Sequence, residues 1–169
     1  GRYQRRVRAE TGCLHMTEIQ AITATPDQLR RLQHLLTRSA DAHAWFEEMA
    51  DKAEPDFRFV ALKFRGLHRE QTDRLTAMMT ALGGEPDNSG GIASTVNRTS
   101  VSLRALFDEI DGDMLDGICR TEAHLLEDLE ASAAELPASR YRDDLLQMRS
   151  ELVELLSHEC KTDLPDGTA

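Results

Sequence analysis

Four segments of the chain carry apolar residues at intervals of three and four positions, the spacing that puts side chains on one face of an α-helix. The first segment opens with Thr25-Pro26-Asp27-Gln28, which has the spacing of a capping box with Pro in the first turn. The stripes predict helices over about 26–53, 55–82 and 112–136, and a fourth that begins at Pro137 or Ser139 and reaches about 160.

The lengths of the connections predict how these helices pack. A few residues separate the first helix from the second and the third from the fourth, so each pair should form an antiparallel hairpin. The link from 83 to 111 is long and rich in Gly at its start, with a short helical piece expected from Val101 to Ile110. We therefore predict an all-α, antiparallel four-helix bundle of ferritin-like topology, with a long crossover between helices 2 and 3.

The charge of the chain limits its partners. The net charge of the 169 residues is −10, and four Arg concentrate positive charge within residues 1–15. An acidic body repels phosphate groups, so we expect neither nucleic acid nor a membrane as partner. We expect residues 1–15 to be tag-derived or a disordered basic extension, residues 16–161 to form a single domain, and residues 162–169 to be a frayed tail.

The cysteines and the apolar runs bear on the compartment. Cys13, Cys119 and Cys160 are odd in number, widely spaced and without a Cys-x-x-Cys motif, so reduced thiols are expected. No apolar run approaches the length of a transmembrane helix, and the Arg-rich start lacks the apolar stretch of a signal peptide. A cytoplasmic location is the resulting expectation.

Three of the apolar stripes contain a polar residue near the middle: His43 in helix 1, Gln71 in helix 2 and Glu122 in helix 3. A carboxylate in a core must be paired, hydrogen-bonded or bound to metal. One interpretation is a buried hydrogen-bonded cluster in which Glu122 accepts from His43 and Gln71. Another places Glu122 at a helix edge, where it reaches solvent.

A metal site is the third interpretation of these polar residues. Di-iron and di-manganese bundles use a Glu-x-x-His pair on each of two helices, and the sequence has no such pair. Glu154 and His158 are four apart and able to chelate, which gives a candidate iron or manganese set. This set comprises His43, Glu70, Glu122, Glu154 and His158.

Catalytic motifs are lacking. There is no Gly-x-Ser-x-Gly, and neither Gly83-Gly84 nor Gly90-Gly91 is followed by the Lys-Ser/Thr of a phosphate-binding loop. Trp45 lies off the main stripe of helix 1, where it could face a partner or pack at the edge of the bundle. We therefore assign no catalytic residue.

The run from Ala81 to Gly90 (ALGGEPDNSG) resembles the LGGEP signature that closes the second helix in a bacterial family of ferritin-like four-helix bundles, a domain of unknown function. Asp41–Phe46 falls where that family has an Asp-Gly-acid-x-Gly-aromatic run. Arg120-Thr121-Glu122 resembles its Arg-Gly-Glu, and Leu136-Pro137 resembles the Leu-Pro before its fourth helix.

This resemblance covers about residues 28–160 and implies mainly a fold, since the family has no established reaction and is loosely associated with stress responses. Glu122 retains the acid that the family carries on helix 3. His43 stands where relatives tend to have an acid, and Leu155 lies in a segment where relatives often have His. Both departures weaken an inherited metal site.

These observations favour a non-catalytic ferritin-like bundle, a cytoplasmic interaction or stress-associated protein that forms a homodimer and binds no cofactor. The alternative is a di-iron or di-manganese bundle with oxidase or metal-storage activity. A carrier of small ligands is a third class, and no residue pattern supports it.

Overall fold

The structure is a computed structural model that describes residues 22–91 and 112–160, apart from the side chains of residues 112–114. These residues form four helices and no strand. The helices are α1 (Pro26–Lys52), α2 (Pro55–Ala81), α3 (Gly112–Glu135) and α4 (Arg140–Glu159). The four predicted helices are confirmed. The helical piece expected over 101–110, the basic segment 1–15 and the tail 162–169 lie outside the described residues.

Local sequence signals fix the helix ends. The Thr25 hydroxyl accepts from the backbone N–H of Gln28, and the Gln28 side chain accepts from the backbone N–H of Thr25, which forms the predicted capping box. At the start of α4, the Ser139 hydroxyl accepts from the backbone N–H of Arg142. These bonds satisfy amide groups that a helix leaves without partners in its first turn.

The Gly-Gly element after α2 has a steric basis. Gly83 adopts a φ of 88°, in the left-handed region that favours glycine. A Cβ added to Gly84 would lie 2.8 Å from Leu29 Cδ2 and 3.2 Å from the Met79 carbonyl oxygen, so the chain turns back tightly against α1. The side-chain amide of Gln33 then bonds both the backbone N–H and the carbonyl of Asp87, at 2.9 and 2.8 Å.

The helices pack in a ring, in the order α1, α2, α4, α3. Polar contacts between neighbours run in opposite numerical order along the two helices. Along α1 and α3, Arg31 pairs with Glu135, and Arg38 pairs with Asp128. Along α2 and α4, Lys63 pairs with Glu159 and Arg74 with Glu151.

The core is formed by the predicted stripes. On α4 the buried residues are spaced three or four apart and comprise Tyr141, Leu145, Met148, Leu152 and Leu156. On α2 the buried series is Ala61, Phe64, His68, Gln71, Leu75, Met78 and Met79, so two polar residues occupy the middle of the apolar face. No helix within residues 22–91 and 112–160 combines the length and apolar content needed to cross a membrane.

A disulfide bond joins Cys119 of α3 to Cys160 at the end of α4. The expectation of reduced thiols is therefore wrong for these two residues. Their separation of 41 positions corresponds to two helices folded back on one another, which brings the Cα atoms within 6.1 Å. Wide spacing in sequence does not argue against a disulfide when a hairpin lies between the cysteines.

The disulfide predicts a measurable stabilisation. The Cys160→Ser substitution should lower the free energy of unfolding by about 4 kcal/mol, because the 41-residue loop is then open in the unfolded chain. Urea unfolding measures this change, with Cys13→Ser as the matched control. Equal stability of the two variants, or labelling of all three thiols in the denatured but unreduced protein, would contradict the bond.

Candidate functional site

The centre of the bundle contains a buried acid–base pair. His68 on α2 is fully buried, and Glu122 on α3 is 4% exposed. The distance from His68 Nε2 to Glu122 Oε2 is 2.8 Å, so the ring N–H donates and the carboxylate accepts. His68 Nδ1 is buried without a hydrogen-bond partner. The pair is thus joined through Nε2 of the ring, and Nδ1 takes no part in the bond.

Aromatic packing fixes the orientation of the His68 ring. Phe64 and His68 are four residues apart on α2, so their side chains lie on the same face of that helix. The ring of Phe46 on α1 stacks on both, with centroid distances of 4.9 Å to Phe64 and 5.7 Å to His68. This arrangement directs His68 Nε2 towards α3, where it donates to Glu122.

Gln71 forms a second buried polar contact, one turn along α2 from His68. Its Nε2 donates to the backbone carbonyl of Met148 on α4, at 3.2 Å, while its Oε1 has no partner. Gln71 is 1% exposed, as the predicted cluster requires, but it bonds α4 rather than Glu122.

The histidine that bonds Glu122 is His68, not His43. His43 is only half-buried on α1. The sequence contains a signal for His68: positions 61, 64, 68, 71, 75 and 78 continue a strict alternation of three and four. The neighbouring apolar residue Leu67 is half-buried at the edge of the core. One step along the helix decides which of the two residues faces the centre.

A cavity of about 490 Å³ lies between α1 and α3, and Glu122 forms part of its wall. Its remaining lining is largely apolar. From α1 the lining residues are Arg38, Asp41, Ala42, Trp45, Phe46 and Met49, and from α3 they are Gly117, Ile118, Thr121, Glu122 and Leu125. Trp45 is half-buried here rather than fully exposed on the surface.

Small residues account for the open space. Ala42 on α1 and Gly117 on α3 both line the cavity, and a Cβ added to Gly117 would have nothing within 4 Å. The lining of the cavity also contains two charged residues that neighbouring groups hold in place, Arg38 and Asp41. Arg38 pairs with Asp128, and Asp41 lies against Gly90, where an added Cβ would approach its Oδ1 to 2.6 Å.

The residues considered for a metal do not converge. Glu70, Glu154 and His158 are exposed, and His43 does not join Glu122. Across the described residues, no group of three or more His, Cys, Asp or Glu side chains could hold a metal ion. A di-metal centre in a bundle draws carboxylates from four helices and histidines from two of them, so the residues present do not fit such a centre.

Fold and site together define a helical-bundle protein with a buried histidine–carboxylate pair beside an apolar cavity. The family described as "Domain of unknown function (DUF2383)" matches residues 27–134, well over half of the chain. The chain belongs to this family. No curated protein and no solved structure matches it.

The buried pair predicts a non-additive stability pattern. His68→Leu should lower the free energy of unfolding by about 3–5 kcal/mol, because it leaves the Glu122 carboxylate buried without its donor. The double variant His68→Leu/Glu122→Leu should recover much of this loss, since neither polar partner remains.

Urea unfolding of the two variants and the wild type measures the effect. The control is His124→Leu on α3, whose side chain is 69% exposed and which should change stability by less than about 0.5 kcal/mol. A double variant that is no more stable than His68→Leu would contradict a mutual hydrogen bond.

Proposed function

We propose that the chain is a non-catalytic four-helix bundle of ferritin-like topology that acts as an interaction or stress-associated protein. The observation that carries this proposal is the closed bond between His68 and Glu122. This bond lies in the core and ties α2 to α3. A buried pair of this kind can specify which helices meet and in what register, without any chemistry.

The order of the contacts supports the antiparallel, ferritin-like topology. From Arg31 to Arg38 the residue numbers rise along α1, whereas those of the partners on α3 fall from Glu135 to Asp128. The pairs between α2 and α4 run in the same opposed manner. With two short hairpins joined by the link from 82 to 111, this is the order expected of a bundle with one long crossover.

We further propose that the protein forms a homodimer and that neither nucleic acid nor a membrane surface is its partner. The net charge of −10 supports the second statement. A large apolar side chain, Phe59 on α2, is 68% exposed and is a candidate contact between copies. Light scattering should give twice the 18.9 kDa of one chain, and the mass of a single chain would refute the dimer.

The expected cytoplasmic location rested partly on reduced thiols. The Cys119–Cys160 disulfide removes that support, because cytosolic thiols are generally kept reduced. An oxidising compartment is the location that the disulfide favours.

Metal analysis tests the non-catalytic proposal against the alternative of an iron or manganese bundle. Protein produced without a histidine tag and supplied with both metals should retain less than about a tenth of an equivalent per chain, because no described set of ligands converges.

A stoichiometric metal that is lost in Glu122→Ala and kept in Glu127→Ala would overturn the proposal. Glu127 is the matched control, because it lies on the same helix and its side chain is 75% exposed.

A further inference from the structure

The cavity between α1 and α3 is an apolar chamber with one deeply buried charge. Its volume of about 490 Å³ falls within the range of roughly 300–1,000 Å³ found for small-molecule sites. Glu122 lines it, although the residue is only 4% exposed. A cavity of this size can take a small molecule, and the Glu122 carboxylate is the buried polar group that could orient it.

The bond to His68 uses one oxygen of the Glu122 carboxylate, because Oε2 accepts from His68 Nε2. A carboxylate has about four acceptor positions over its two oxygens, so Glu122 can take further donors. Because most of the rest of the wall is apolar, a donor group on a molecule that enters the cavity would find its strongest acceptor in this carboxylate.

The charged residues in the lining of the cavity favour one class of small molecule over others. The charged side chains are Arg38, Asp41 and Glu122, and Arg38 is already paired with Asp128. An anion would meet the Glu122 carboxylate in a site of low polarity, where repulsion is strong. A neutral apolar molecule would leave that carboxylate without a further donor.

A metal ion is also a poor match for this cavity. Ca²⁺ takes about six to eight oxygen ligands, and the lining supplies two acids, Asp41 and Glu122. An organic ammonium ion differs, since it needs one strong acceptor and buries its carbon atoms. Trp45 and Phe46 line the same space, and aromatic rings attract ammonium groups.

We propose that this cavity binds a small organic cation, an ammonium group on an apolar body, with the ammonium donating to Glu122. His68 is a positioning residue: it donates to the Glu122 carboxylate, and it is not among the residues that line the cavity. Trp45, Phe46, Met49 and Ile118 enclose the apolar part. This site is independent of whether the bundle has dimeric or stress-associated roles.

Calorimetry with three probes of similar shape tests the proposal on the full chain: phenethylammonium, 2-phenylethanol and phenylacetate. The cation should bind about 10- to 100-fold more tightly than the alcohol, the ratio expected for one charge-assisted hydrogen bond, and the anion most weakly. Equal binding of cation and alcohol, or a Kd for the cation above about 10 mM, would overturn the proposal.

Two pairs of variants locate the site. Gly117→Leu should abolish binding of the cation by filling the cavity, whereas Gly66→Leu on α2, where an added Cβ also meets nothing within 4 Å, should not. Glu122→Gln should weaken binding of the cation by about 10-fold or more, and the exposed control Glu127→Gln should leave that binding unchanged.

Circular dichroism confirms that each variant is folded. If Glu122→Gln does not fold, the two glycine variants still decide the matter. Unchanged binding in Gly117→Leu overturns the proposal, because the ligand then lies elsewhere.

Discussion

The hydrogen bond between His68 and Glu122 is the interaction on which the centre of the bundle depends. It joins α2 and α3, which are not neighbours in the ring of packed helices. Adjacent helix axes lie about 8–10 Å apart, and helices across a diagonal lie farther apart, so only long side chains can meet there. An imidazole and a glutamate span this gap, and their bond ties the pair α1 and α2 to the pair α3 and α4.

Several features follow from placing this polar pair in the core. The Phe46 ring is stacked on the rings of Phe64 and His68, and this packing shields the His68 imidazole from water and fixes its orientation. Gln71 adds a separate bond from α2 to α4 one turn away. On the other side of the carboxylate, Ala42 and Gly117 leave the space that forms the cavity. Glu122 therefore belongs both to the polar pair in the core and to the lining of the cavity.

Sequence reasoning recovers what is encoded locally. The capping box at Thr25, the stripe on α4 and the Gly83-Gly84 turn depend on residues within a few positions of each other, and the structure confirms the helices they predict. Glu122 and Gln71 stand out because both interrupt an apolar stripe, and a buried position was one of the interpretations open for Glu122; both are buried.

What the sequence does not specify is which distant residues meet. Leu67 and His68 are adjacent on α2, and a rotation of about 100° about the helix axis decides which of them faces the core and Glu122. The Cys119–Cys160 bond depends on the offset between two helices, and the cavity depends on Ala42 and Gly117 lying at the same height. Each of these is a property of helix packing, and the pattern of a single helix does not contain it.

The protonation and exchange of the His68 ring test the central claim most directly. Nitrogen–proton correlation spectra of the imidazole groups should show the His68 proton on Nε2 and exchanging slowly with water, because that nitrogen donates to a buried carboxylate. The exposed His124 provides the comparison for fast exchange. A proton on Nδ1 alone, or exchange at His68 as fast as at His124, would contradict the buried pair.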